Sequence, residues 1–186
     1  LWMLCAIGGL GAALCADVLA PWLRLPAGAF AALMLAGTAL WLATPWTLPA
    51  LLRRWGVRWL APLRAAAQRP DFNRQMGWQA LASAAVQVLS AAALAAGGLA
   101  LGVQLPLAAW AFAIAPVFLM AALPVSVGGW GTREAATVAA LAPFGVAAAA
   151  AVGVGVIYGL YALVQGAMGA LALGLPGQSA REGASE

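Results

Sequence analysis

The residues with the clearest chemical character lie together in the stretch from Pro124 to Glu134. Three of them are glycines, which lack the Cβ that keeps a backbone away from a ligand and which permit the positive φ of a tight turn. A helix-forming run follows, so backbone N–H groups and a partial positive charge should gather at this turn. The pattern therefore predicts an anion site. Its expected ligand-contacting residues are Ser126, Gly128, Gly129, Gly131, Thr132, Arg133 and Glu134.

The charged pair at the end of this stretch favours recognition over catalysis. The planar donor fork of Arg133 suits a phosphate, and Glu134 suits the first turn of a helix or could neutralise a cation. A second interpretation is that the two side chains only pair with each other or with neighbouring helices. The chain has no histidine to activate Ser126 and no lysine for a Walker A loop. We therefore expect no catalytic residue, metal or cofactor, and no enzyme.

The composition predicts an all-α protein that crosses a membrane several times. The chain is 65% apolar and 8% charged, with recurring apolar runs near twenty residues, and hydrocarbon admits only backbones whose hydrogen bonds are satisfied internally. An ionised side chain near the centre of such a helix costs about 2.5–3.5 kcal/mol, which marks it as functional. We expect one transmembrane domain over residues 1–175, truncated at its N-terminus because Leu1 begins in mid-run, and a disordered tail over 176–186.

About four full spans can be assigned from the apolar runs. Helices are expected over Leu1–Ala20, Ala27–Leu52 and Ala80–Val103, and a last span lies within Val146–Leu173. The run Leu107–Leu123 is short for a span and contains a proline. It either crosses fully, which leaves the tail outside, or forms with the glycine-rich turn a broken or re-entrant helix, which returns the tail to the cytoplasm. We expect the second.

Two polar stripes interrupt the apolar helices. One consists of Ser83, Gln87 and Ser90, and the other of Tyr158, Tyr161 and Gln165. Such a stripe either forms hydrogen bonds between helices or lines a polar groove for a headgroup. Gly155 and Gly159 have the small-xxx-small spacing that allows close helix packing.

The segment 53–78 is rich in arginine and is predicted to be a cytoplasmic loop by the positive-inside rule. Its arginines are expected at the membrane surface, either as topology anchors or on an interfacial helix near Trp55 and Trp59. They are Arg53, Arg54, Arg58, Arg64, Arg69 and Arg74. Because most of the basic residues lie in this short loop between spans, we expect no nucleic-acid partner.

The run Pro-x-Ser-x-Gly-Gly-x-Gly-x-x-Glu, from Pro124 to Glu134, with Phe144-Gly145-Val146 after it, resembles the signature of the flippase-like transmembrane family. That family includes the membrane region of bacterial lysylphosphatidylglycerol synthase, the multiple peptide resistance factor. The resemblance implies a multi-pass protein of the bacterial inner membrane that translocates or handles an anionic phospholipid or lipid-linked substrate. It implies functional roles for Gly128, Gly129, Gly131, Arg133 and Glu134. The N-terminal half and the soluble transferase domain of the synthase are not in this sequence, so synthase activity is not implied.

A second hypothesis makes the chain a non-catalytic accessory subunit of a membrane enzyme that modifies lipids or assembles glycans. It predicts that an enzyme co-purifies with the protein and that the protein alone moves no lipid. The sequence leaves the oligomeric state open.

Overall fold

The computed structural model describes residues 1–54, 69–122 and 129–174, except for the side chains of residues 48–54 and 172–174. The described residues form helices, without strands. The helices are α1 (Trp2–Leu14), α2 (Ala16–Leu19), α3 (Ala27–Arg54), α4 (Phe72–Ala100), α5 (Leu107–Ala121), α6 (Thr132–Leu141) and α7 (Ala148–Gly174). Short 3-10 turns follow α2 at Ala20–Leu23 and α6 at Ala142–Phe144. The predicted all-α class is confirmed.

Three of these helices are long and apolar enough to cross a membrane. The candidate spans are Ala27–Thr47, Phe72–Ala100 and Ala148–Leu171. A fourth candidate is the bent pair Trp2–Leu14 and Ala16–Leu23, whose two parts meet at 77°. Helix α5 is apolar but shorter than a span.

The helix expected over Leu1–Ala20 is helical but not continuous. The helix breaks at Cys15, which has φ −101° and ψ 23° and whose N–H bonds to the carbonyls of Gly11 and Ala12. The next segment turns away and packs on the start of α3 and on Phe144. Local sequence did not indicate this break, because neither glycine nor proline stands at the break itself.

Helix α3 runs through Pro45 without interruption. Pro45 has no N–H for the carbonyl of Trp41 one turn earlier. Other donors satisfy that carbonyl: the indole of Trp2 at 2.9 Å and the hydroxyl of Thr44 at 2.7 Å. The Trp41 indole in turn donates to the Trp2 carbonyl at 2.9 Å. This reciprocal pair ties the start of α1 to α3.

Helix α4 begins at Phe72, earlier than the expected Ala80, so the segment between the helices is shorter than the predicted loop 53–78. Asp71 occupies the N-cap position, and its carboxylate lies 3.4 Å from the Arg74 guanidinium in the first turn. The first turns of α4 are exposed and polar. The hydropathy pattern therefore predicted only the apolar part of this helix.

The core forms where small residues let helices approach closely. A Cβ on Gly11 of α1 would overlap the backbone nitrogen of Phe112 and lie 2.8 Å from the carbonyl oxygen of Ala108, both in α5. Helix α5 also packs against α4 and α6, and α7 packs against α4 and α6. Trp110, Ile114, Leu94, Leu141 and Val154 are fully buried at the centre of this arrangement.

Helices α5 and α6 form a hairpin whose two ends lie at one end of the bundle. Leu101, just after α4, lies against Gly153 near the start of α7. Helix α5 begins soon after Leu101, and α6 leads directly into α7 through the turn at Gly145, where φ is 74°. The hairpin therefore starts and finishes near the C-terminal end of α4. Ala121 and Arg133, on either side of its tip, lie beside Val86 and Ser90 further back along α4.

Candidate functional site

The described part of the glycine-rich turn, from Gly129 onward, packs closely on the end of α5. Gly129 and Gly131 have φ of 77° and 85°, values that L side chains rarely adopt. A Cβ on Gly129 would lie 3.0 Å from the carbonyl oxygen of Ala121, so this position needs glycine for both its conformation and its close approach. Ser126 and Gly128 lie outside the described residues, and their predicted roles stay predictions.

Helix α6 begins at Thr132 and is capped from within the turn. The Gly131 N–H donates to Glu134 Oε2 at 2.5 Å, which is one half of a capping box. The Thr132 hydroxyl donates to the Gly129 carbonyl at 3.1 Å. Glu134 is buried, and its other oxygen, Oε1, has no hydrogen-bond partner among the described residues. One oxygen of this carboxylate thus stabilises the helix start, while the other remains available as an acceptor.

Arg133 is 6% exposed and extends toward α7. Its guanidinium carbon lies 5.6 Å from the ring centroid of Trp130, a cation–π distance. Its Nη1 occupies the space where a side chain at position 159 would stand, because a Cβ on Gly159 would overlap that atom. Gly155 similarly accommodates Glu134. The predicted packing role of Gly155 and Gly159 is confirmed, and the pair also leaves room for the charged residues.

A cavity of about 220 Å³ opens beside the guanidinium. Helices α4, α5, α6 and α7 all contribute to its wall. The residues that line it are Val86, Ser90, Val117, Phe118, Ala121, Arg133, Tyr158, Ala162 and Gln165. The side chains of Ser90 and Tyr158 share this wall, and the Phe118 and Tyr158 rings are 5.5 Å apart. The cavity thus combines one cation, several neutral polar groups and an apolar wall.

The structure brings together part of each predicted polar stripe. Ser90, Tyr158 and Gln165 share the cavity with Arg133. Gln87 is buried, with its Oε1 unpaired among the described residues, but it is not among the lining residues. Ser83 is half-buried and lies outside the cavity wall, and Tyr161 is exposed at the side and accepts from Gln165 Nε2 at 3.3 Å. The cavity wall thus includes one residue of the first stripe and two of the second.

Trp130 and Phe118 were not singled out as site residues by sequence reasoning. Trp130 stands inside the glycine-rich stretch, and its position before an arginine was the available signal for a cation–π contact. Phe118 was indistinguishable from the other apolar residues of α5. Only the meeting of α5 with α7 gives it a role at the cavity.

The predicted membrane-surface arginines are described only in part. Arg69 and Arg74 are exposed. Arg53 and Arg54 are the last residues of α3, and their side chains are not described. The remaining residues of the predicted loop and tail lie outside the described residues: Arg58, Arg64, Trp55, Trp59 and 176–186. In the part of the chain that the structure describes, no three His, Cys, Asp or Glu side chains group as metal ligands do.

No curated protein and no solved structure matches the chain. A family model does match: the model of the lysylphosphatidylglycerol synthase TM region aligns with residues 1–169. The match includes the glycine-rich turn, all seven described helices except the end of α7, and every residue that lines the cavity. The protein is therefore a membrane protein that belongs to the family of the lysylphosphatidylglycerol synthase transmembrane region.

Proposed function

We propose that this protein translocates or handles an anionic phospholipid, or a lipid-linked substrate, between the two leaflets of a bacterial inner membrane. The observation that carries the proposal is the position of Arg133, a buried cation in the wall of a cavity that it shares with Ser90, Tyr158 and Gln165. A buried cation is expensive in hydrocarbon and is retained where a pathway or an anion requires it.

The cavity lies at the depth where the desolvation cost of a headgroup is largest. The ten positions from Ser90 to Ala100 span about 15 Å at 1.5 Å per residue, which is half of a hydrocarbon core of about 30 Å. If the C-terminal end of α4 lies at the membrane surface, Arg133 is near the midplane. A phosphate meets its largest desolvation cost there, and a guanidinium is the group that best offsets it.

The hairpin of α5 and α6 fits a re-entrant element in this arrangement. Its two ends lie at the same end of the bundle, and its tip carries the glycine-rich turn to the cavity. Irregular backbone at that depth is tolerated only where protein or water satisfies it. The bond from the Gly131 N–H to Glu134 and the bond from the Thr132 hydroxyl to the Gly129 carbonyl supply part of that satisfaction.

This arrangement implies about four full spans, counting the bent pair of α1 and α2 as one, together with the re-entrant hairpin. The positive-inside rule places the segment 53–78 in the cytoplasm. Helix α7 then runs from the outer side to the cytoplasm, and the hairpin enters from the outer side.

Each group has a distinct part in the proposed mechanism. Arg133 donates to the lipid phosphate, while the hydroxyls of Ser90 and Tyr158 and the amide of Gln165 replace water around the headgroup. The apolar wall from Phe118 and Val117 accommodates the first carbons of the chains. Glu134 holds the start of α6, so that the guanidinium projects from a fixed point. No step in this mechanism breaks a covalent bond, so we propose transport or handling of lipid without enzymatic chemistry.

The test is the flux of fluorescent phosphatidylglycerol across proteoliposomes that hold the protein, measured by dithionite quenching. We expect Arg133→Ala to lower the flux at least tenfold, because it removes a charge-assisted bond that contributes about 1.5–3 kcal/mol. Arg69→Ala, an exposed arginine far from the cavity, is the matched control and should leave the flux unchanged.

A folded Arg133→Ala protein that moves lipid at the wild-type rate would overturn the proposed role of the cavity. A purified wild-type protein that moves no lipid, but that co-purifies with a lipid-modifying or glycan-assembly enzyme, would favour the accessory-subunit hypothesis instead.

A further inference from the structure

A second pocket lies at the start of α4, on the exposed surface of the helix bundle. It is a shallow, open depression of about 280 Å³ lined by Asn73, Arg74, Gly77, Trp78 and Leu81. A Cβ added at Gly77 would meet no atom within 4 Å. The pocket is therefore open space that a ligand can enter without moving protein atoms.

The groups around this pocket are donors. Arg74 is 73% exposed, and its ion pair with Asp71, at 3.4 Å on the surface, contributes little and is made through one of its nitrogens, Nη2. Trp78, one turn further along, is 68% exposed, and its indole combines a donor with an apolar ring. The carbonyl oxygen of the Asn73 side chain accepts from the Trp46 indole at 2.9 Å, so its amide nitrogen remains a donor. This donor set suits a phosphate.

The same face of α4 becomes steadily more apolar away from Arg74. Leu81 and Val88 follow on that face at helical spacing, and both are exposed. Beyond them is an apolar groove of about 310 Å³ between α1, α4 and α5, lined by Ile7, Val88, Ala91, Ala92, Leu107, Trp110 and Ala111. From Leu81 to Ala92 is about 16 Å at 1.5 Å per residue, close to the thickness of one leaflet of a core of about 30 Å.

Along this face a charged side chain is followed by an indole and then by aliphatic side chains. A phospholipid has the same order, with its phosphate followed by glycerol and then by the acyl chains. We infer that one anionic phospholipid binds along this face, with its phosphate on Arg74 and Trp78 and one acyl chain ending in the groove between α1, α4 and α5. Its headgroup is anionic because the charged side chain that lines the pocket is the cation Arg74.

This lipid is distinct from the one proposed to pass through the cavity at Arg133. At 100° per residue, Ser90 is about 160° around the helix from Arg74, so the cavity and the lipid face lie on opposite sides of α4. The bound lipid fills a gap between α1, α4 and α5, and it acts as a structural component of the bundle.

Native mass spectrometry of the detergent-purified protein, with added phosphatidylglycerol or phosphatidylcholine, tests the inference. We expect one phosphatidylglycerol to bind at least tenfold more tightly than phosphatidylcholine. Arg74→Gln, which removes the charge, and Gly77→Met, which fills the pocket, should each lower that affinity at least tenfold. Ala92→Leu, which narrows the groove, should lower it as well.

Gly166→Met is the matched control, since Gly166 lies in open space on α7, and Arg69→Gln controls for charge alone. Both should bind phosphatidylglycerol as the wild type does. Equal affinity for the two lipids would overturn the inference, and so would unchanged phosphatidylglycerol binding in Arg74→Gln and Gly77→Met. Lipid flux through the cavity is measured separately, and we expect it to persist in Arg74→Gln and in Gly77→Met.

Discussion

Gly159→Ala separates the folding role of α7 from its proposed role in binding lipid. A Cβ at this position would overlap Arg133 Nη1 and would lie 3.3 Å from the guanidinium carbon and 3.4 Å from the Trp130 ring. The overlapping atom is at the far end of a flexible side chain, so the guanidinium can swing aside without moving the backbone. The substitution should therefore displace the cation from the cavity while leaving α6 and α7 packed.

The expected free energies have opposite signs. Alanine in place of glycine within a helix stabilises it by about 0.5–1 kcal/mol, and the weakened cation–π contact costs about 0.5–1 kcal/mol, so the free energy of unfolding should change by less than about 1 kcal/mol. Loss of a charge-assisted bond to phosphate costs about 1.5–3 kcal/mol, which corresponds to a roughly 10- to 100-fold lower flux.

The assay is lipid flux in proteoliposomes together with thermal unfolding in detergent. Two glycines of the same helix serve as controls. Gly155→Ala places its Cβ 3.1 Å from the Glu134 backbone, which cannot swing aside, so it should lower the melting temperature. Gly166→Ala meets open space and should change neither quantity. Wild-type flux in a stable Gly159→Ala protein would refute the reasoning, and so would unfolding as severe as that of Gly155→Ala.

Three further substitutions test the packing and the helix start, all by unfolding in detergent. Gly11→Ala should cost about 1–3 kcal/mol, because its Cβ would overlap the backbone of Phe112; an unchanged melting temperature would mean that α1 and α5 are further apart than described. Glu134→Ala should be about 1 kcal/mol less stable than Glu134→Gln, which keeps an oxygen for the N–H at the start of α6, and equal stabilities would argue against that bond. Trp41→Phe removes the indole donor to the Trp2 carbonyl and should cost about 1 kcal/mol, a loss that a wild-type melting curve would exclude.

The sequence predicted the helix that follows the glycine-rich turn, because the signals for it are local. Glycine residues with positive φ, a threonine at the first helical position and a glutamate in the first turn act within a few residues of one another. The close packing at Gly155 and Gly159 was also predictable, since small residues one turn apart have few other uses in an apolar helix.

The helix boundaries were less predictable where exposure changes along one element. Helix α4 extends past its apolar part into polar turns, and α1 breaks at a cysteine because the next segment packs elsewhere. The segment after α1 packs on residues distant in sequence, and the first turns of α4 are exposed, so the local apolar pattern could not reveal either boundary.

Composition and spacing alone determined that this is a helical membrane protein with one charged turn between apolar runs, because hydrocarbon leaves the backbone few alternatives. Only the tertiary structure decided that Arg133 meets Ser90, Tyr158 and Gln165, whereas Ser83, Gln87 and Tyr161 lie outside the cavity wall. Periodicity assigns a residue to a face of its helix. Which turns of four helices lie at the same level depends on where their glycines let them approach, and that is a property of the packed bundle.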